Sequence, residues 1–251
     1  MAESPLRFRN LYNPVSKEPY RLSRSKLELF LQCPCCFYLD RRLGLGRVDG
    51  PPFTLNIAVD ALLKKEFDTY RLEGATHPLM KQFGVNAVPF RHREMETWRD
   101  NKKGVSYVHP KTLFHFFGAI DDAWVDPEGT VYVVDYKATG IEGPVSLEGE
   151  WKKAYKRQAE IYQWLMRKQN LPVSDTAYFV YVNADKAAAS FGGRLNFTMT
   201  VLPYEGDDRW VESALIEAWQ CLQKDAPPPA GSDCEWCNYR LALRHLGSGE
   251  E

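Results

Sequence analysis

The stretch VYVVDYKATG, residues 131–140, joins the pattern of a buried strand to two opposite charges. Its apolar run ends at Val134, and Asp135 and Lys137 follow two positions apart. Side chains alternate across a strand, so these two point to the same side. An acid and a base on one face at the end of a buried strand are costly to remove from water, which predicts a functional site there.

The segment DPEG, residues 126–129, predicts the turn before this strand. Its residues suit a type I turn with glycine at the position that needs positive φ, and such a turn closes a three-residue hairpin loop with a bulge. Pairing Asp126 with Thr130 sets Asp121 opposite Asp135, with Cβ atoms about 5 Å apart. A slip of one residue would put the two acids on opposite faces.

Two carboxylates this close repel each other unless a proton or a cation lies between them. A divalent cation held by Asp121 and Asp135, with the ammonium of Lys137 beside it, is an arrangement that activates water for phosphodiester hydrolysis. The alternative is a partly buried ion pair between Asp135 and Lys137 that merely tolerates Asp121 nearby.

The composition is that of a globular protein, since 44% of the 251 residues are apolar. Lys and Arg number 32 against 33 Asp and Glu, so any affinity for nucleic acid must come from local patches. No apolar run approaches the ~18 residues of a membrane span, and the N-terminus lacks the apolar segment of an export signal. We therefore expect a cytoplasmic, reducing setting without membrane contact.

The order of the predicted elements favours an α/β fold in a single domain over residues 1–251. Its parts are an irregular arm (1–20), a mainly helical part (21–104), an α/β core (105–204) and a C-terminal helix with a C-x-x-C segment (205–251). The predicted helices run into Cys33 with Ser25 and Glu28 at capping-box spacing, over 55–71, and from about Trp151 to Gln169. The predicted strands span 113–125, 130–138, 176–183 and 195–204.

Cysteines form C-x-x-C pairs near both ends of the chain: Cys33 with Cys36, and Cys234 with Cys237. In a reducing setting such pairs indicate a tetrathiolate metal site that clips the terminal segments together. The alternative is four unconnected thiols. The remaining two, Cys35 and Cys221, are expected to be packing thiols.

The segments GAIDD, VVDYK and QAEIY, in this order, resemble the PD-(D/E)XK nuclease superfamily. The resemblance is to its RecB-like branch, which includes the CRISPR-associated exonucleases and the helicase-linked recombination nucleases. It covers most of the chain, because LSRSKLELFLQCPCCFYL and CEWCNYR match the family's opening and closing parts. It implies a restriction-endonuclease-like core, in which a central mixed sheet is flanked by helices, with a helical insertion near the N-terminus.

The activity implied by the resemblance is magnesium- or manganese-dependent hydrolysis of DNA phosphodiester bonds, which we expect to be exonucleolytic on single strands. The implied setting is DNA repair, recombination or CRISPR-type processing, with a helicase or CRISPR complex as partner. By the same resemblance Asp121 and Asp135 are metal ligands, Lys137 is the catalytic lysine, and the carbonyl of Tyr136 completes the metal shell.

The motif Gln-x-x-x-Tyr of these nucleases is matched by Gln158 and Tyr162. Helical spacing puts Gln158 on an otherwise apolar face that turns to the sheet, together with Trp151, Tyr155, Tyr162 and Leu165. The alternative for Gln158 is a core glutamine whose amide is satisfied by the backbone.

Two departures from the family pattern remain. RecB-like nucleases carry a histidine ligand on the early helix, where this chain has Asp60, which is either a hard oxygen ligand favouring magnesium or an ordinary helix residue. Several relatives hold a four-iron cluster with one cysteine before the core and three after it. The two-and-two arrangement here suits an iron–sulfur cluster or zinc, with a preference for the cluster from the family alone.

Basic residues cluster locally in WKKAYKRQ, residues 151–158, and in shorter patches at 91–93 and 101–103. The first stretch predicts nucleic-acid contacts on the solvent side of the helix that carries Gln158, through Lys152, Lys153, Lys156 and Arg157. The alternative for each patch is a solvated face. The aromatic rings of Tyr136, Trp151 and Tyr155 could stack on bases of a single strand.

Two other functions stay open from the sequence. The chain could be a catalytically inactive nucleic-acid-binding or scaffolding module, which Asp60 in place of histidine favours and the set Asp121, Asp135 and Lys137 opposes. It could also be a metal-stapled interaction subunit of a helicase or CRISPR complex.

Overall fold

The structure, a computed structural model, describes residues 8–48, 50–51 and 53–248. The described helices are α1 (Arg24–Gln32), α2 (Pro34–Arg42), α3 (Thr54–Glu73), α4 (Pro78–Gln82), α5 (Met95–Arg99), α6 (Lys153–Arg167), α7 (Trp210–Gln223) and α8 (Glu235–Ser248), with a 3₁₀ turn at Glu150–Lys152. The strands are β1 (Tyr20–Ser23), β2 (Val88–Pro89), β3 (Val105–Val108), β4 (Phe114–Gly118), β5 (Asp122–Val125), β6 (Val131–Thr139), β7 (Thr176–Ala184) and β8 (Phe197–Glu205). Part of the predicted arm, residues 1–7, lies outside the described residues.

The strands form a five-stranded sheet in the order β2-β5-β6-β7-β8 and a three-stranded sheet in the order β1-β4-β3. In the larger sheet β6 is parallel to β7 and antiparallel to β5, and β7 is antiparallel to β8. Helices α3 and α6 both contact β6. The predicted α/β class, with a mixed sheet flanked by helices as in the restriction-endonuclease-like core, is confirmed.

Strand β6 is buried on both faces because a helix covers each of them. Val134 and Tyr136 belong to one apolar cluster with Leu63 and Phe67 of α3. The alternate residue Asp135 instead contacts α6. Fully burying side chains of this size stabilises the fold by about 1.5–3 kcal/mol each, so β6 is fixed firmly between its two helices.

The hairpin before β6 has the predicted turn and register. The amide of Gly129 donates to the carbonyl of Asp126 at 3.1 Å, and the amide of Asp126 donates to the carbonyl of Thr130 at 3.1 Å. Gly129 has φ of 89°, in the left-handed region that glycine adopts without strain. The ladder runs as far as the pair of Asp122 with Val134, so Asp121 lies just before the first residue of β5.

The predicted single strand over 113–125 is wrong, because this segment forms β4 and β5 in different sheets. The backbone between them turns to α5 instead of to a neighbouring strand. The amide of Ile120 donates to the carbonyl of Trp98 at 3.1 Å, and Nε of Arg99 donates to the carbonyl of Asp121 at 3.0 Å. The apolar pattern continues through this break, so periodicity alone does not reveal it.

The other predicted helices and strands are present in the structure with shifted ends, whereas β1, β2 and β3 were not predicted. The N-cap of α1 is Ser23 rather than Ser25, and no side-chain capping bond forms. Glu28, the predicted capping-box partner of Ser25, accepts a hydrogen bond from the side chain of Gln32 instead. The predicted helix from Trp151 begins as the 3₁₀ turn, and regular helix starts only at Lys153.

The chain divides into two compact units. The first contains the described residues within 1–50, 107–117 and 209–251, which include the C-x-x-C pairs; the second contains those within 51–106 and 118–208. A single domain over the whole chain stays a prediction. Within the described ranges, each helix is too short or too polar to cross a lipid bilayer.

Candidate active site

Asp121 lies at the entrance to β5, where its side chain bonds to the neighbouring strand. Its Oδ2 accepts a hydrogen bond from the amide of Tyr136 at 2.9 Å, and its side chain is 24% exposed. Burial raises the pKa of Asp121, the charge of Asp60 adds to this, and Lys137 and Lys64 act in the opposite direction. The net shift is upward, so the carboxyl lies in a place that disfavours its charge unless a cation is near.

Asp135 and Lys137 form an ion pair on one side of β6, as their spacing predicts. The side chain of Asp135 is only 1% exposed. Burial acts to lower the pKa of Lys137, but Asp135 and Asp121 outweigh it and raise that pKa, so Lys137 stays an ammonium. Its Nζ lies 4.5 Å from the ring centre of Tyr155. The ion pair of the alternative interpretation therefore exists, and Asp121 acts electrostatically on the same ammonium.

Gln158 of α6 bonds to the acid of β6 rather than to the backbone. Its Nε2 donates to Oδ1 of Asp135 at 2.8 Å and to the hydroxyl of Tyr162 at 3.4 Å. Gln158 thus links the matched motif directly to a candidate metal ligand. Tyr162 and Leu165 are buried as predicted, but Trp151 lies in the 3₁₀ turn and is 59% exposed, so its place on the apolar face was wrong.

Asp60 of α3 lies close to the other acids but already has a cationic partner. Nζ of Lys64, one helical turn later, is 2.8 Å from Oδ2 of Asp60 and 3.6 Å from Oδ1 of Asp121. A cavity of about 200 Å³ is lined by Asp60 together with Tyr136, Lys137 and Tyr155, among others. Sequence reasoning missed Lys64, although its spacing of four from Asp60 is a visible signal for a helical ion pair.

Lys152 is buried, with only 3% of its surface exposed, so its predicted place on the solvent side of the helix is wrong. It lies in the 3₁₀ turn, and its Nζ donates to the hydroxyl of Tyr181 at 2.8 Å and lies 4.0 Å from the ring centre of Trp151. Burial and the charge of Lys137 lower the pKa of Lys152.

The other basic residues of this stretch reach the surface. Lys153 is exposed and pairs with Glu150 at 2.8 Å, whereas Lys156 and Arg157 are half-buried. Among the aromatic candidates, Tyr136 is wrong for stacking, because its ring is buried and its hydroxyl donates to Asp122 at 2.7 Å.

A buried network of charged residues surrounds Asp122, the residue after Asp121, and was not predicted from the sequence. Oδ1 of Asp122 accepts from Arg71 and Arg99, and Oδ2 accepts from the hydroxyl of Tyr136. Both arginines also donate to Asp68. The guanidinium of Arg99 therefore bonds to both Asp122 and the carbonyl of Asp121, which fixes the backbone that carries the candidate ligand.

The first unit brings the two C-x-x-C pairs together, as predicted, so the alternative of four unconnected thiols is wrong. Their sulfur atoms all lie within 4.8 Å of one another. Sγ of Cys36 is 3.5 Å from that of Cys234 and 3.7 Å from that of Cys237, and Cys33 is 3.6 Å from Cys237. Cys35 and Cys221 are buried outside this group, in agreement with packing thiols.

The thiols differ in acidity before any ion binds. Burial acts to raise the pKa of Cys33, but hydrogen bonds from the amides of Cys36 and Gly231 and from neighbouring thiols lower it to about 6. Burial raises the pKa of Cys36 to about 11. Arg47 donates to Cys234 at 3.5 Å, which supplies positive charge beside the sulfur atoms. This donor set is suited to a thiophilic metal.

Comparison with known families gives a match over most of the chain. The model of the PD-(D/E)XK nuclease superfamily matches residues 21–242. Among curated proteins, none is significantly similar in sequence to this chain. The match spans both units and includes every candidate residue described above.

Proposed function

Because the chain belongs to the PD-(D/E)XK nuclease superfamily, we propose that it is a magnesium- or manganese-dependent deoxyribonuclease of the RecB-like type. The proposed reaction is hydrolysis of DNA phosphodiester bonds, from the ends of single strands. The observation that carries the proposal is the assembly of Asp121, just before β5, with Asp135 and Lys137 in the middle of β6, and Gln158 bonded to Asp135.

The residues fit a hard divalent cation. Asp121 and Asp135 offer carboxylate oxygens, the carbonyl of Tyr136 lies between Asp135 and Lys137 in sequence, and Asp60 lines the adjoining cavity. The raised pKa of Asp121 supports the same assignment, because a nearby dication would stabilise its charge. A bound magnesium or manganese ion would act as a Lewis acid towards the phosphate and lower the pKa of a water molecule.

The protein's own groups have separate roles in this proposal. Lys137 is held as an ammonium by Asp135 and orients the attacking water or stabilises the charge that develops on the phosphate. Gln158 holds Asp135 in one orientation, and Tyr162 supports Gln158.

The nucleic acid would lie along the start of α6. Lys153, Lys156 and Arg157 are partly or fully exposed there and would contact phosphates without reading sequence. Trp151 is exposed and packs edge-on against Tyr155 at 5.5 Å, a platform on which a base of a single strand would stack. Lys152 is buried between the rings of Trp151 and Tyr181 and is left out of this proposed contact surface.

The cysteine group is proposed to hold a structural metal rather than a catalytic one. Four thiolates around one zinc ion, with bonds of about 2.3 Å, lie about 3.8 Å from one another. Three of the sulfur–sulfur separations are 3.5–3.7 Å and all lie within 4.8 Å, which supports a single ion. In a four-iron cluster each cysteine binds a different iron atom, so the cysteine sulfur atoms lie farther apart. The geometry thus favours zinc, whereas the family resemblance favours the cluster.

The proposed setting is the cytoplasm, in DNA repair, recombination or CRISPR-type processing, with a helicase or CRISPR complex as a candidate partner. The second candidate function is a nucleic-acid-binding or scaffolding subunit without cleavage. The ion pair of Lys64 with Asp60 and Asp121 favours it, since an ammonium lies where the acids would contact a metal ion.

The decisive experiment is cleavage of end-labelled single- and double-stranded DNA with magnesium, manganese or chelator. We expect metal-dependent shortening of single strands from one end and a loss of about 10³-fold or more in Asp135→Ala, because such sites act mainly by electrostatic stabilisation. Lys111→Ala, a change in the other unit, is the control. DNA binding without cleavage under every condition, equal in the protein and in Asp135→Ala, would favour the second candidate.

A further inference from the structure

The candidate site contains a second lysine that the proposed reaction does not use. Lys64 lies on α3, with its side chain 23% exposed, and its Nζ contacts Asp60 at 2.8 Å and Asp121 at 3.6 Å. The other lysine of the site, Lys137, pairs with Asp135. Each of the three acids therefore has an ammonium within ion-pair distance.

We propose that Lys64, held at the site by Asp60, is a built-in counter-ion that competes with the divalent cation for Asp121, and so sets the metal concentration at which the site fills. The inference rests on the proposed function, because it assumes that Asp121 is a metal ligand. It assigns to Lys64 a positioning and regulatory role, without contact to the reacting phosphate.

Charge balance is the physical reason. Three carboxylates and two ammonium groups leave this group of residues with one net negative charge, whereas the three acids alone would carry three. An ammonium a few ångströms from the metal position repels a dication about twice as strongly as it would repel a single positive charge, because the Coulomb energy is proportional to the product of the charges. Part of this repulsion is relieved when the flexible lysine side chain turns towards solvent, so a moderate effect on affinity is expected.

The two contacts of Lys64 differ in length, so a metal ion can displace one of them while the other is kept. Its contact with Asp60 is shorter than its contact with Asp121 by 0.8 Å, from 2.8 and 3.6 Å. Asp60 and Lys64 also share one helix at a spacing of four, so their pair is independent of the sheet. A metal ion at Asp121 would therefore displace the weaker contact and leave Lys64 paired with Asp60. In this state Asp60 stays outside the metal shell.

The test is calcium binding without nucleic acid, measured by titration calorimetry on the full chain. Calcium takes oxygen ligands, so it probes the acids rather than the thiols. Lys64→Met keeps the length of the side chain and removes its charge. Lys65→Met, at the next position of the same helix and exposed, removes one charge from the surface and is the matched control.

We expect Lys64→Met to bind calcium about tenfold more tightly than the unchanged protein, a change of about 1.4 kcal/mol, and Lys65→Met to bind as the unchanged protein does. Asp121→Asn should abolish binding in either background. Equal affinities of Lys64→Met and Lys65→Met, with binding lost in Asp121→Asn, would overturn the inference and leave the proposed function standing. Binding that is absent from all variants, or that survives Asp121→Asn, would instead remove the proposed metal site and the inference with it.

Discussion

At the scale of single residues, the site depends on how charge is distributed among neighbouring carboxylates. Burial raises the pKa of Asp121, and the charge of Asp60 raises it further, while Lys137 and Lys64 lower it. A carboxyl group has to be ionised to bind a metal ion. Because the pKa of Asp121 is raised, metal binding should be lost on acidification at a higher pH than it would be with an exposed aspartate as the ligand. Asp60 thus affects the site even if it never contacts the metal.

Asp60→Asn should lower the pKa of Asp121, because it removes a negative neighbour and leaves Asp121 as the acid within reach of Lys64. The measurement is the carboxyl ¹³C chemical shift of Asp121 against pH in the metal-free protein. The acid limb of cleavage should move to lower pH by the same amount. Asp100→Asn, which removes an acid on the surface, is the control, and a pKa of Asp121 that stays unchanged or rises in Asp60→Asn would contradict this account.

The register of the hairpin could be predicted from residue types, because the turn chemistry of 126–129 fixes it without help from the rest of the fold. The pairing of Asp135 with Lys137 could also be predicted, because residues two positions apart on a strand point to the same side. The burial of Lys152 could not, because it depends on the 3₁₀ turn that rotates this residue inward onto Tyr181. The contact of Lys64 with Asp121 joins a helix to a distant strand, and spacing along the chain carries no information about it.

At the scale of elements, α3, α5 and β5 meet at a buried charge network. Asp122, the first residue of β5, is fully buried and accepts hydrogen bonds from Arg71 of α3 and Arg99 of α5. A buried carboxylate is tolerated only when its charge and lone pairs have partners, and this one also bonds to Tyr136 and the amide of Ala123. The network therefore fixes the point at which the chain passes into β5.

Asp122→Asn should lower the free energy of unfolding by about 3–5 kcal/mol, since it leaves two buried guanidinium groups with less negative charge. The measurement is urea unfolding. The contrast is Asp208→Asn, whose carboxylate pairs with Arg167 in a less buried place and should cost about 1 kcal/mol or less. Equal losses in the two variants would show that the network contributes no more than a surface ion pair.

At the scale of the whole molecule, segments far apart in sequence form one unit. The first unit draws on the described residues within 1–50, 107–117 and 209–251, and its cysteine group joins α2 to α8. The sequence could predict this group from the spacing of its pairs. It could not predict the division into two units, because one of the crossings, between residues 117 and 118, falls inside the apolar stretch 113–120.

A metal ion at this group would close a loop of 198 residues between Cys36 and Cys234. A cross-link of this length stabilises a fold by about 5 kcal/mol, mainly because it restricts the unfolded chain. We expect Cys237→Ser to lose the bound metal and to lower Tm by about 10–20 °C, as that free energy implies for a chain of this size. Cys221→Ser, a change of a buried thiol outside the group, should keep the metal.

The metal content of the purified protein, measured by elemental analysis, separates the two ions that the cysteines suit. One zinc per chain would agree with sulfur atoms 3.5–3.7 Å apart, which fit tetrahedral coordination of one ion. Iron with inorganic sulfide in equal amounts would mean that the sulfur atoms move apart around a cluster, in agreement with the family resemblance. A full complement of metal in Cys237→Ser would contradict both, because neither a four-thiolate zinc site nor a four-cysteine cluster retains its ion readily with a hydroxyl in place of one thiolate.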